Sequence, residues 1–300
     1  MNAATSQLTT RLRTWALVGG LTALTVSIGA LLGGTFLWLF VAFAIAFNVA
    51  GYFFSDRIAL RVAHARPLRT TEAPELYAIV ERLAERADIP MPRLYVIPGE
   101  QPNAFATGRN HEHAAVAMTH GLLTTMETDH VRGVIAHELA HIRNHDILVS
   151  SIAATIAGTI SAIASVLQLS FLFGADDEDN PLGLIGSLAV AILAPIAATL
   201  LQLGVSRQRE YLADATAARL LGSGAPLADA LAEIEHRDAP ALAIEPATAP
   251  MYIVNPLAGG TVATLFSTHP PIRERIRRLR AYGQRARTGR AASAARLSGA

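Results

Sequence analysis

Four long apolar stretches constrain the fold of this chain more than any other feature of its sequence. They run roughly over residues 15–32, 36–54, 147–173 and 182–205. Each is long enough for a helix to cross a hydrocarbon layer of about 30 Å, which takes about 20 residues. A content of 51% hydrophobic and only 16% charged residues is also typical of chains with membrane segments. The sequence therefore predicts a largely helical protein held in a membrane.

The two pairs of apolar stretches differ in character. Only Gly33, Gly34 and Thr35 separate the first two, so we expect a tight helical hairpin near the N-terminus. The third and fourth are rich in Ala, Ser, Thr and Gly, which suit close helix–helix packing in lipid. The same composition also suits a hydrophobic hairpin buried in protein, and both interpretations stay open for residues 147–205.

Arginines beside the apolar stretches predict their orientation. They flank the outer ends of both pairs, at Arg11, Arg13, Arg57, Arg61, Arg66, Arg69, Arg207 and Arg209. The hydrophilic loop inside the second pair, residues 176–180, is acidic instead. Because cytoplasmic segments of membrane proteins are enriched in Lys and Arg, we expect a multi-pass protein of the cell inner (plasma) membrane. Both termini and residues 57–146 then face the cytoplasm, and the acidic loop faces outward.

The hydrophilic part between the two pairs carries the sequence His137-Glu138-Leu139-Ala140-His141. Two histidines at positions i and i+4 lie on one face of a helix, so both imidazoles can bind a single Zn²⁺. Glu138 points across the same face, where it can take a proton from the attacking water. The apolar residues on either side predict a buried helix, and buried polar groups need partners. We therefore expect one zinc ion per chain, and reject the alternative of a surface helix.

A third zinc ligand is available downstream. Glu210 and Asp214 are also i and i+4 and share a helix face. Glu210 can complete a His₂Glu zinc site, and Asp214, one turn further, can accept the free N–H of a ligating histidine. The alternative is that both acids only pair with Arg207 and Arg209 on a solvated face.

The remaining hydrophilic segments predict a small sheet before the motif helix. An amphipathic helix over 74–87 precedes short strands at 94–97, 103–108 and 114–119, and a turn follows at His120 and Gly121. The prolines between 226 and 280 predict a set of short helices. His145 is expected on the motif helix one turn after His141, in a supporting position and not as a ligand.

Composition excludes several kinds of site and partner. The chain has no cysteine, which excludes disulfides and thiolate ligands. Its net charge is +1 and it carries no nucleic-acid-binding motif, so no nucleic-acid partner is expected. The arginine-rich tail, residues 284–300, is predicted to be disordered, and it can contact anionic lipid headgroups.

Four motifs in order carry a family resemblance. They are residues 103–108 (NAFATG), 136–141 (AHELAH), 206–214 (SRQREYLAD) and 267–271 (STHPP). In order and spacing the chain resembles the HtpX-type membrane zinc metalloproteases and their relatives, the CAAX prenyl endopeptidases. The resemblance extends from the N-terminal hairpin to about Leu279.

The resemblance implies an integral membrane endopeptidase of the gluzincin type that acts in bacteria on damaged or misassembled membrane proteins. It implies His137, His141 and Glu210 as zinc ligands and Glu138 as the base. It also places Asn103 and His269 where they can contact the substrate or the transition state. Two alternatives stay open: a CAAX-type processing endopeptidase, and a non-enzymatic membrane scaffold stabilised by zinc.

The expected fold class is mainly α with a small β-sheet (α+β), made of integral membrane helices and a zincin-like metalloprotease domain. The resulting organisation is an N-terminal hairpin at 1–56, a protease domain in two parts at 57–146 and 206–283, an apolar hairpin at 147–205, and a basic tail at 284–300. The expected partners are membrane lipids and misfolded or damaged membrane proteins. The sequence leaves the oligomeric state open.

Overall fold

The computed structural model of the chain describes residues 34–152, 207–237, 251–255 and 270–282, with a few isolated positions outside these ranges. Several predictions lie outside the described residues. They concern almost all of the first apolar stretch, nearly all of 147–205, His269 and the tail 284–300.

The first described element is a long helix, α1, over Gly34–Val62. It contains the second predicted span and continues past it, and its exposed side chains include Trp38 and Phe53. Among the described residues, no single helix is both long and apolar enough to cross a membrane. Leu37–Ala46 and Val49–Val62, which meet at a 46° bend, satisfy the length and composition criteria only as a pair.

The sheet has four strands, β1 Arg66–Pro67, β2 Arg93–Ile97, β3 Ala104–Thr107 and β4 Ala115–Thr119. Their order is β1-β2-β4-β3, with β2 and β4 parallel and the other pairs antiparallel. The three strands predicted from the sequence are therefore confirmed. The sequence missed β1, because two residues are too few to show an alternating pattern.

Helices make up most of the described chain. They are α2 Pro74–Ala87, α3 His120–Thr125, α4 Thr128–Arg143, α5 147–152, α6 Arg207–Leu221, α7 Ala225–His236 and α8 272–282, and a 3₁₀ turn covers His111–His113. The predicted turn at His120 and Gly121 is wrong, because both residues begin α3. Thr119 caps this helix, since its hydroxyl accepts a hydrogen bond from Leu122 N at 3.2 Å.

The central helix is α4, which packs against α2, β3, α6 and α7. All its residues from Gly133 to Ala140 are buried. Gly133 allows the close approach to α7, because a Cβ there would lie 2.6 Å from both the nitrogen of Leu227 and the carbonyl carbon of Pro226. This packing holds the motif helix against the edge of the sheet.

The strands alternate between two hydrophobic clusters. Val116 and Met118 face the larger cluster, which includes α2, α4, α6 and α7. Ala115 and Ala117 face the smaller cluster, which includes the last turns of α1 and Tyr252. Arg93 binds Asp56 at 2.6 Å and so fixes the C-terminal part of α1 to β2. The long apolar helix is thereby attached to the sheet against which α4 packs.

Candidate metal centre

Two helices bring the three predicted zinc ligands together. His137 and His141 lie one turn apart on α4, and Glu210 lies in the first turn of α6. Nε2 of His137 is 3.1 Å from Nε2 of His141. Glu210 Oε2 is 3.7 Å from His137 Nε2, and its Oε1 is 3.5 Å from His141 Nε2. Within the described residues these are the side chains that form a potential metal-binding group.

The donor atoms fit a tetrahedral zinc ion. Ligands at 2.0–2.1 Å in a tetrahedron stand about 3.3–3.5 Å apart, and the separations in this structure, 3.1, 3.5 and 3.7 Å, are close to that range. Two nitrogens and one carboxylate also leave one coordination position open, as catalytic zinc sites require. The residues therefore fit the metal by both chemistry and distance.

Asp214 lies behind the first histidine. Its Oδ1 is 3.0 Å from Nδ1 of His137, so that ring presents its other nitrogen to the metal position. Arg275, from α8, donates two hydrogen bonds to the same carboxylate, at 3.0 and 2.8 Å, and is fully buried. Glu210 and Asp214 are also buried, which excludes the alternative of a solvated face paired with Arg207 and Arg209.

A second carboxylate lies behind the other histidine. Asp146, just past the end of α4, places Oδ2 3.2 Å from Nδ1 of His141. Arg209 Nη1 is 3.9 Å from Asp146 Oδ1, and both side chains are buried. Sequence reasoning missed Asp146, and it noted Arg275 only as an arginine that follows the fourth motif, without its contact with Asp214. The available signals were an acid five residues after the motif and an arginine four residues after the double proline, and neither follows a helical repeat.

Glu138 lies in the cleft beside the edge strand. Ala106 of β3 lines the same cleft, and its backbone N–H lowers the pKa of the Glu138 carboxyl slightly. Burial raises the pKa of this carboxyl, the two motif histidines lower it, and Glu210 raises it further, so the net direction is upward. A raised pKa suits a carboxylate that must both accept and return a proton near neutral pH.

The surroundings of His137 have opposing effects on its pKa. Burial and the nearby Arg275 lower the pKa of this imidazole, while hydrogen bonds to Asp214 and Glu210 raise it, to about 9 overall. For Asp214, burial raises the pKa, but the Arg275 guanidinium and His137 together outweigh it, which leaves the pKa at about 2. Without metal, His137 is therefore protonated at neutral pH and Asp214 is ionised.

The side-chain amide of Asn103 forms its hydrogen bonds within the protein. It is fully buried, its amide donates to Val254 O at 2.8 Å, and its carbonyl accepts from Ala104 N at 3.1 Å. Ile253 N also donates to Ala104 O at 3.0 Å, so residues 251–255 cover the start of the edge strand. In this structure Asn103 therefore holds a neighbouring segment in place, although the sequence suggested a substrate contact. His269, the other predicted contact, lies outside the described residues.

The prediction that His145 lies on the motif helix is wrong. Helix α4 ends at Arg143, and His145 has a left-handed backbone with φ of 60°. Its ring stacks on His111 with centroids 4.1 Å apart. The extra turn of helix is missing because the chain reverses there, which carries Asp146 back to His141.

Comparisons with known proteins agree with this geometry. Residues 70–283 match the model of peptidase family M48. The chain belongs to this family. It is 50% identical to a protease HtpX homolog of Syntrophobacter fumaroxidans over 279 residues, covering 90% of this chain and 98% of that protein. A protease HtpX homolog of Persephonella marina is also 50% identical, over 89% of this chain and 96% of its own length.

A solved structure with low sequence identity is also similar. It is Ste24p of S. mikatae, with 19% identity and a TM-score of 0.49, covering 92% of this chain and 67% of that one. Family membership makes the chain a zinc metalloprotease, as the sequence predicted. The predicted mixture of helices with a small sheet is also confirmed in the described residues.

Proposed function

We propose that this chain is a membrane-bound zinc endopeptidase that degrades damaged or misassembled membrane proteins. The observation that supports this function best is the convergence of His137, His141 and Glu210 at tetrahedral spacing, with Glu138 beside them. The similarity to protease HtpX homologs over about nine tenths of the chain supports the same activity.

In this proposal His137, His141 and Glu210 hold the metal. A zinc ion bound there would supply Lewis acidity, which would polarise a carbonyl and acidify water. Glu138 accepts a proton from the attacking water and later delivers it to the leaving amine. Asp214 holds His137 in the tautomer that leaves Nε2 free to bind metal.

The edge strand β3 is the proposed place for the substrate backbone. An extended peptide can add to an exposed strand edge by main-chain hydrogen bonds. Ala106 lines the cleft together with Glu138 and the three proposed ligands. Residues 251–255 pair with the start of β3 at Ala104, so a peptide held beyond them, beside Ala106, would bring its scissile carbonyl next to the base.

The membrane orientation remains a proposal. The flanking arginines and the acidic loop at 176–180 support a multi-pass protein with its active site in the cytoplasm. The five-part organisation, from the hairpin at 1–56 to the basic tail at 284–300, has the same support. Single cysteines at Asp177 and Ser223 of this cysteine-free chain can be probed with an impermeant thiol reagent on intact cells. Labelling at 177 alone is expected, and labelling at 223 alone would reverse the topology.

The experiment that tests the proposed site combines metal analysis with casein digestion. Purified full-length protein should contain one zinc ion per chain and should lose activity with a chelator. Alanine variants of the three proposed ligands should lose zinc, whereas His145→Ala, the matched control, should keep it. Retention of zinc by Glu210→Ala, or its loss from His145→Ala, would show that the proposed ligand set is wrong.

A further inference from the structure

The two motif histidines are supported in the same way on opposite sides of the site. His137 contacts Asp214, which Arg275 holds, and His141 contacts Asp146, which lies near Arg209. All four supporting side chains are buried. The contact between His137 and Asp214 could be expected, because Asp214 lies one helical turn after Glu210 on α6. The contact between His141 and Asp146 follows from no such helical spacing.

Asp146 also occupies a junction in the chain. Its backbone N–H donates to His141 O at 3.0 Å, which closes the end of α4. Its carbonyl accepts from both Ser150 N and Ser150 Oγ at 3.3 Å, so it begins α5. The backbone of Asp146 is thus fixed on both sides, and its carboxylate is held within reach of His141 Nδ1.

The neighbours of Asp146 belong to the cleft. Ile147 and Ser150, in the first turn of α5, line the same cleft as Glu138. Ser151, in that helix, binds the hydroxyl of Thr107 at the end of β3 at 2.7 Å. The start of the apolar stretch is therefore joined both to the edge strand and to one proposed zinc ligand.

Arg209 comes from the other end of that stretch. It lies in the first turn of α6, one residue before Glu210, and points back to Asp146. The Asp146–Arg209 pair thus joins the residue before the apolar stretch 147–205 to the helix that follows it. The Arg209 guanidinium therefore stands on the far side of the Asp146 carboxylate from His141.

We infer that Asp146, supported by Arg209, is a positioning residue for His141. By accepting a hydrogen bond from Nδ1–H, Asp146 fixes the ring with Nε2 directed at the metal position. This inference rests on the proposed function, because it takes His141 to be a zinc ligand. If the inference holds, zinc binding depends on the contact between Asp146 and Arg209, which lie at the two ends of the apolar stretch.

The test measures zinc affinity and kinetics in full-length protein. Asp146→Ala should weaken zinc binding, measured by competition with a chelating dye, by about 10–100-fold. It should lower kcat on a fluorogenic peptide and leave KM close to the wild-type value, because no proposed substrate contact is changed. The zinc affinity and kcat of Asp146→Asn should lie between those of wild type and of Asp146→Ala, since an amide can accept the N–H but carries no charge.

Asp129→Asn is the matched control, because it removes one carboxylate from the exposed first turn of α4, the helix that carries His141. The visible spectrum of the Co²⁺-substituted protein adds a readout of metal geometry. It should change in Asp146→Ala and stay as wild type in Asp129→Asn. Arg209→Gln should weaken zinc binding in the same direction as Asp146→Asn.

Two results would overturn the inference. One is an Asp146→Ala protein with the zinc affinity and cobalt spectrum of Asp129→Asn. The other is an Asp146→Asn protein that binds zinc like wild type while Asp146→Ala unfolds, because Asp146 would then serve only the helix junction. His141→Ala, measured in parallel, distinguishes a failure of the inference about Asp146 from a failure of the proposed ligand set. Retention of zinc by that variant would refute the ligand assignment itself.

Discussion

Arg275→Ala tests how strongly one buried cation stabilises the site. Its guanidinium donates to both oxygens of Asp214 and, at 3.0 Å, to the carbonyl of Ile253. Removal of the side chain leaves a buried carboxylate without its counter-ion. It also leaves a buried carbonyl without its donor.

The structure sets the expected magnitude. The pKa of Asp214 falls from an ordinary 3.8 to about 2, a shift equivalent to about 2 kcal/mol of stability. Because the folded-state pKa is depressed, this stabilisation is present above pH 4 or so and is lost as the pH falls through about 2. Loss of one partner of a buried ion pair usually costs about 3–5 kcal/mol. We therefore expect Arg275→Ala to lower the free energy of unfolding by about 3–5 kcal/mol at pH 7.

The assay is urea unfolding of detergent-solubilised, chelator-treated protein, followed by circular dichroism. Chelator treatment removes any contribution from zinc. Arg277→Ala is the control, because it removes an exposed arginine from the same helix. Without Arg275, burial raises the pKa of Asp214, so the deficit relative to wild type should shrink as the pH is lowered.

A double variant completes the test. Arg275→Ala with Asp214→Ala should be less unstable than the sum of the two single variants, by about 0.5–3 kcal/mol, since the uncompensated charge is gone. Strict additivity would refute the reasoning. So would an Arg275→Ala protein no less stable than Arg277→Ala.

Two further predictions concern helix packing and metal uptake. Gly133→Ala should destabilise the protein by about 1–3 kcal/mol in the same unfolding assay, because the new Cβ meets the backbone of α7 at 2.6 Å. The higher helix propensity of alanine opposes this by only about 1 kcal/mol, so a stabilised variant would show that the helices do not pack so closely. Zinc affinity should weaken about tenfold for each pH unit below 8, because zinc must displace a proton from His137, whose pKa is about 9 without metal. Competition titrations between pH 6 and 8 measure this, and a constant affinity over that range would contradict it.

The sequence predicted the parts of the site that follow a helical repeat. His137 and His141 are one turn apart on α4, and Glu210 and Asp214 are one turn apart on α6, so each pair could be assigned to one face from spacing alone. The strands were also predictable, because their apolar residues are bounded by proline and glycine.

The sequence did not predict contacts made where the chain reverses or between distant segments. Asp146 reaches His141 only because the chain turns after Arg143. Arg275 reaches Asp214 across 61 positions, and Val254 reaches Asn103 across 151. No local pattern encodes such pairs, since they depend on how the helices and the sheet pack together.

Glu138→Gln tests the central claim most directly. The change removes the proposed base and leaves the proposed ligands His137, His141 and Glu210 in place. The account predicts one zinc ion per chain, as in wild type, with casein digestion reduced by about 10²–10⁴-fold. Wild-type digestion by a fully zinc-loaded Glu138→Gln protein would contradict it.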